Sequence, residues 1–337
     1  MPRKKLVVLV AALATVMSVA TAAAVAANFT GSGSTLVQPL MAQWTQDYGH
    51  RTGTQIVYTG VGSGQGIVNV SSGVTNFGAS DAPLTGTQAA GCHGCVQIPW
   101  ALTATAIAFN LNGVRSLHLS GPVLAQIYLG QISNWNDGRI KKLNNRTRLP
   151  NEKITPVFRS DGSGDTYVIT DFLSRTSSAF RGKVGNATAV SFPTGTGAKG
   201  NSGVTSTILS TPGSIGYVAA SYAITHPVQV AGLQNAAGNI EYPNLSNISA
   251  AARSVSRVPG NNELHIVNPA STYAAAYPMS TFTYAIVPTG SSVGSSIAAF
   301  VRYTVSSAGQ RFGPALDFSP LPRVVYNADL KAAKRIH

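Results

Sequence analysis

Arg159-Ser160-Asp161-Gly162-Ser163-Gly164-Asp165-Thr166 lies between two stretches of different periodicity. Upstream, Ile154-Thr155-Pro156-Val157-Phe158 reads as a short β-branched strand. Downstream, from Tyr167 to Leu173, the apolar residues fall at helical spacing. An arginine, two glycines and small hydroxyl and acidic residues therefore fill a strand-to-helix turn. The first turn of a helix offers free N–H groups and a partial positive charge, and glycine lets a ligand approach that backbone. An adjacent arginine adds a forked donor suited to tetrahedral oxyanions. Two readings of the turn stand side by side. It is an anion site, or Ser163 or Asp161 caps the helix while Arg159 pairs with Asp161 at the surface.

Other segments repeat the pattern. Asn28-Phe29-Thr30 leads into Gly31-Ser32-Gly33-Ser34-Thr35, and Leu36, Leu40, Trp44 and Tyr48 then mark one face of a helix. The strand Gln55–Tyr58 ends in Gly60-Val61-Gly62-Ser63-Gly64, and Ile67, Val70 and Val74 continue as a helix. Asn76–Leu84 presents Asp81 at a small-residue strand end just before Pro83. N-caps alone explain any one such turn. Three Gly/Ser turns with an arginine and an aspartate favour a shared anion site.

The rest of the chain gives the layers. Ile98 to Leu111 is a nearly continuous apolar run, suited to a buried crossing strand, and Thr281–Val287 reads as a second one. Gly121–Gly130 is a helix opened by proline and closed by glycine. Gly213–Val218 is a further turn and strand, and an Ala-rich helix lies near Ala250. A helix at Ser295–Val301 and a loop from Leu316 to Pro322 finish the fold. Strand–helix alternation without internal repeats implies α/β layers. Gly195, Gly197 and Gly200 form a GxGxxG, but Pro193 disturbs the strand a dinucleotide site requires.

The 337 residues suffice for two domains with real cores, and 44% hydrophobic against 10% charged residues excludes a disordered chain. A basic start (Arg3, Lys4, Lys5), an apolar run from Leu6 to about Ala20 and small residues at 22–27 read as a signal peptide cleaved near Ala27. A retained anchor is the competing reading. The formal charge of +13 loses three basic residues with that segment and becomes +10. Such a balance favours anionic partners. Nucleic acid is not expected, because no basic stripe carries interleaved aromatics, and the basic loop Lys141–Arg148 reads as a solvated face. Cys92 and Cys95 are the only cysteines and read as a local disulfide of an exported protein. The histidines are isolated, so no metal site and no cofactor are expected.

With these motifs in hand, the chain resembles the periplasmic phosphate-binding proteins of bacterial ABC phosphate importers. The likeness runs from about Gly31 to Leu321, and Ile127–Gly130, Gly197–Asn201 and Pro212–Val218 add to the anchors already quoted. It implies a two-lobed α/β periplasmic binding protein of type II with the anion in the cleft. Lobe I would comprise 28–107 plus 280–337, and lobe II 108–279. By motif match, the Thr35 hydroxyl, the Leu36 N–H, and the hydroxyl and N–H of Ser63 would bind phosphate from lobe I. Arg159, Ser163 and the Gly164 N–H would close on it from lobe II. Asp161 would orient Arg159, and Ser34 would support the first turn. Asp81, an acceptor only when ionised, would require a proton on the ligand, which phosphate retains near neutral pH and sulfate lacks. Family members often carry Thr where Asp165 stands. Asp165 is either a second acceptor favouring doubly protonated phosphate or a helix-start acid turned to solvent. The implied protein is a monomeric, non-enzymatic receptor that delivers inorganic phosphate to membrane permease subunits from the periplasm or outside the cell. A phosphate-binding adhesin or sensor, and a phosphatase-like hydrolase using Ser63 or Ser163, are the alternatives.

Overall fold

The computed structural model describes residues 28–92 and 94–337, so the signal-peptide reading and His93 lie outside the described residues. The first third of the described chain alternates strand and helix. It runs β1 (Phe29–Gly33), α1 (Gln38–Thr52), β2 (Ile56–Gly60), α2 (Ser63–Ser71), β3 (Phe77–Ser80), α3 (Gly86–Gly91) and β4 (Cys95–Phe109). The middle continues as β5 (His118–Leu119), α4 (Gly121–Tyr128), α5 (Gly138–Lys141), β6 (Thr155–Arg159), α6 (Gly164–Thr176), α7 (Ser178–Lys183), β7 (Thr196–Ala198), α8 (Gly200–Ser210), β8 (Ser214–Ala219) and α9 (Ala220–Thr225). It closes with β9 (Gln229–Val230), β10 (Gly232–Gln234), β11 (Ile240–Glu241), α10 (Leu245–Ala252), β12 (Ser280–Pro288), α11 (Gly294–Val305), α12 (Ser307–Gln310) and α13 (Arg323–Ala333).

Among the described residues one sheet orders its strands β2-β1-β3-β12-β4-β8-β6-β7, with β9 also on β4. The strand β4 joins its two halves. Up to Ala104 it runs antiparallel to β12, and from Thr105 it runs antiparallel to β8. Fourteen of its fifteen residues are buried, which is why Ile98 to Leu111 reads as a nearly continuous apolar run. On one half β1 pairs in parallel with β2 and β3, and on the other β6 pairs in parallel with β7 and β8. Parallel pairing requires crossover helices, and it brings the C-terminal ends of the strands, with the turns that follow, to one side.

Each half has its own apolar core. One is built around Trp44, Phe77, Trp100 and Phe300, whose rings meet edge-on or tilted. The other gathers Phe109, Tyr128, Trp135, Phe172 and Tyr217. The type II two-lobed α/β architecture is thus in place, and Cys92 and Cys95 form the local disulfide with Cα atoms 5.4 Å apart. One sequence expectation needs correction. The fold does not finish in the loop ending at Pro322, because α13 follows it and packs on β4 and α11. Around Pro193, no strand leads into Gly195, and β7 falls inside the GxGxxG rather than before it, so the strand a dinucleotide site requires is not there.

Candidate functional site

Four helix starts meet at the junction of the halves: those of α1, α2, α6 and α8. The starts of α2 and α6 follow glycine–serine turns because their approach leaves no room for larger side chains. A Cβ on Gly164 would lie 2.4 Å from the Asp81 carboxylate, and one on Gly62 would lie 2.4 Å from Asp161 Oδ2. Gly62 also holds φ +89°, a conformation glycine adopts without strain.

Ser63 is the pivot. Its Oγ accepts from the Asp81 N–H at 3.2 Å and from the Gly164 N–H at 3.1 Å, and donates to Asp81 Oδ2 at 3.3 Å. One hydroxyl thereby ties the α2 start to the α6 start. The backbone repeats the link through Gly64 N–H to Gly162 O at 3.0 Å. Thr35 Oγ1 accepts from Asn201 Nδ2 at 3.0 Å and from the Asn201 N–H at 3.3 Å, joining α1 to α8. Ser34 Oγ reaches both Asp81 oxygens, at 2.7 and 2.6 Å, and accepts from the Leu36 N–H at 3.0 Å.

Arg159, whose side chain is 1% exposed, lies at the C-terminal end of β6. Its Nε and Nη2 grip Asp161 at 2.7 and 2.5 Å, a bidentate pair that fixes the plane of the guanidinium. Asp161 Oδ1 also accepts from the Gly200 N–H at 3.0 Å, so it ties Arg159 to the α8 start. The remaining Nη1 reaches Asp165 Oδ2 at 3.1 Å. Asp165 is 1% exposed, so it is not turned to solvent. Its Oδ1 accepts from Thr105 Oγ1 at 2.7 Å and its Oδ2 from Asn201 Nδ2 at 2.8 Å.

The hydrogen-bond network therefore brings together Ser34, Thr35, Ser63, Asp81, Arg159, Asp161, Gly164 and Asp165. Leu36 joins through Ser34. Ser163 stands differently: its Oγ accepts from the Thr166 N–H at 3.4 Å, as a helix cap does. Sequence reasoning missed three participants. Asn201 bridges Thr35 and Asp165, Thr105 holds Asp165, and the Tyr217 hydroxyl accepts from the Arg159 N–H at 2.9 Å. Each had a faint signal: a polar residue inside an apolar run for Thr105, and places in short matching motifs for Asn201 and Tyr217.

Electrostatically the site is acidic, with three carboxylates beside one guanidinium. Desolvation, followed by the charge of Asp165, pushes the Asp81 carboxyl up to about 7, against the lowering effect of Ser34, Arg159 and Ser63. Burial also raises Asp165, opposed chiefly by Arg159. Desolvation pushes Asp161 upward too, but the Arg159 hydrogen bonds and charge outweigh it and hold that carboxyl below its ordinary value. The arrangement offers backbone and hydroxyl donors and a guanidinium for an anion, with two proton-hungry acceptors beside them. A cavity of about 430 Å³ lined by Val61, Gly64, Gln65, Asp161, Gly162 and Lys199 lies at the rim.

Comparison with known proteins identifies the fold and the family. Residues 18–308 match the model of a PBP superfamily domain. A phosphate-binding protein PstS of Xylella fastidiosa is 35% identical over 302 residues, covering 88% of this chain and 82% of that protein. One from Haemophilus influenzae is 32% identical over 300 residues, covering 88% and 89%. Among solved structures, a high-affinity periplasmic phosphate-binding protein bound with phosphate superposes with TM-score 0.72 at 23% identity, over 91% of this chain and 93% of that one. The phosphate-binding protein of Stenotrophomonas maltophilia gives 0.72 at 20% identity, over 91% and 94%. The structural likeness speaks for the fold, and the sequence identity carries the lineage: the chain belongs to the PBP superfamily and, within it, to the PstS family of phosphate-binding proteins.

Proposed function

We propose that this protein is a receptor for inorganic phosphate, which it captures between its lobes and delivers to the membrane subunits of an ABC importer. The observation that carries the reading is the meeting of four helix starts and Arg159 around two buried carboxylates, Asp81 and Asp165. The donors suit a tetrahedral oxyanion. The carboxylates demand that it bring protons, which excludes sulfate and favours phosphate in its protonated forms. Thr35, Leu36, Ser63, Arg159, Ser163 and Gly164 are the proposed donors, with Asp81 and Asp165 as acceptors and Ser34 and Asp161 as positioning residues. Residues 28–107 with 280–337, and 108–279, are the proposed rigid bodies of the closing hinge. The proposed setting is the periplasm or cell exterior, reached through the N-terminal signal segment.

The relatives named as PstS phosphate-binding proteins and the phosphate-bound neighbour support this reading. A hydrolase is the weaker reading. The Ser63 oxygen is occupied by two N–H donors, and the base beside it, Asp81, is itself held by Ser34. Calorimetric titration with orthophosphate tests the proposal. Arg159→Ala should weaken binding by at least about tenfold, since a charge-assisted hydrogen bond contributes roughly 1.5–3 kcal/mol. Absence of binding by the unmodified protein, or steady turnover of an aryl phosphate abolished by Ser63→Ala, would contradict it.

A further inference from the structure

Away from the cleft, α13 and the segment before Asn262 enclose a groove of about 490 Å³ whose charged lining is entirely cationic: Arg257 on one wall, and Lys331 and Arg335 on the other. Lys331 lies in the last turn of α13 and Arg335 in the turn that follows the helix, four residues further along the chain. Among the described residues, no carboxylate pairs with any of the three. The one acid of α13, Asp329, is 0% exposed and turned into the core, so it does not neutralise the groove. Glu263, in the adjoining groove that shares Gly260 and Arg335, is engaged by His265 at 2.9 Å and Asn261 at 3.0 Å. Exposed Arg253, Arg323 and Lys334 extend the positive field beyond the groove.

We infer that this groove is a second anion site that binds a linear chain of phosphate groups of the condensed polyphosphate type. Three cations lining one groove suit an anion with several closely spaced charges. Two arginines of the three can fork onto phosphate oxygens, and Asn327 adds a neutral donor from the lining. The lining holds no aromatic ring on which a base would stack, which disfavours nucleic acid. Its concave form suits a chain rather than a flat bilayer. The site is independent of the cleft, so its test stands apart from the phosphate-receptor reading.

The experiment is fluorescence anisotropy of end-labelled inorganic polyphosphate with the full mature chain at several salt concentrations. The unmodified protein should bind with a slope of log K against log salt of about −2 to −3, as three neutralised phosphates imply. The triple variant Arg257→Ser, Lys331→Ser, Arg335→Ser should lose at least about tenfold in affinity. It should keep its calorimetric response to orthophosphate, which also shows that it folds. Lys331→Glu alone is the second variant and should weaken binding in the same direction. The charge-matched control Lys142→Ser, Arg146→Ser, Arg148→Ser should change affinity little. Equal losses in both triple variants would reduce the effect to net charge and overturn the proposal. So would no binding by the unmodified protein, or stronger competition by poly-glutamate, duplex DNA or anionic vesicles at equal charge.

Discussion

Asp165 places a second buried carboxylate beside Arg159, and its burial has a consequence. With Asp81 raised to about 7 by desolvation and by Asp165, the pair retains a proton at and below neutrality. Above that, a closed cleft holding a dianion has fewer protons than acceptors. Phosphate affinity should therefore fall as pH rises through about 7, by up to about tenfold per unit for one linked proton. Asp165→Asn should flatten that dependence. A calorimetric pH series distinguishes the two, and an equally steep profile in the variant would contradict the role given to Asp165. Asp329 is a residue of another kind: fully buried, with both oxygens unpartnered, and raised well above its ordinary value by burial. A raised folded-state value means that stability is lost as pH climbs from the unfolded value of about 4. Asp329→Leu should therefore stabilise the protein at pH 7, by about 1–3 kcal/mol, the usual cost of an unsatisfied buried polar group. A thermal melt at pH 7 checks it, and a lowered midpoint would show that the carboxyl has a partner it needs.

At the scale of elements, the site is a matter of where helices begin. The Gly164 N–H lies on Ser63 Oγ, and its Cα faces the Asp81 side chain with no space for a methyl group. Gly164→Ala should hold the lobes apart and weaken phosphate binding by at least about tenfold, whereas alanine in a helix is locally favourable. A normal melt with weakened titration is the expected pair of results, and unchanged affinity would remove the close approach from the account. The strand–Gly/Ser turn–helix pattern was legible at all three corners because a period of two changes to one of 3.6 across a glycine turn. The crossing strand β4 was legible because burial on both faces leaves a nearly continuous apolar run. Asn201 and Thr105 were not, because their importance lies in partners 166 and 60 residues away along the chain. The helix α13 escaped notice because Asp329 occupies one of its inward positions and breaks the apolar stripe that periodicity relies on.

For the whole molecule, the links Gly64–Gly162, Ser63–Gly164 and Thr35–Asn201 join the two halves across the cleft. A ligand that completes such a network stabilises the closed arrangement through contacts from both sides. Phosphate at a thousandfold excess over its dissociation constant should add about 4 kcal/mol, raising the melting midpoint by roughly 8 °C. Sulfate at the same concentration should leave the midpoint unmoved. The central claim is that buried Asp81, once ionised, admits only an anion carrying a proton. Competitive calorimetry of phosphate against sulfate at a pH above the Asp81 value of about 7, on the unmodified protein and on Asp81→Asn, tests it most directly. Strong preference for phosphate in the former, reduced by at least about tenfold in the latter through gained sulfate binding, is the predicted result. The same preference in both proteins would contradict it.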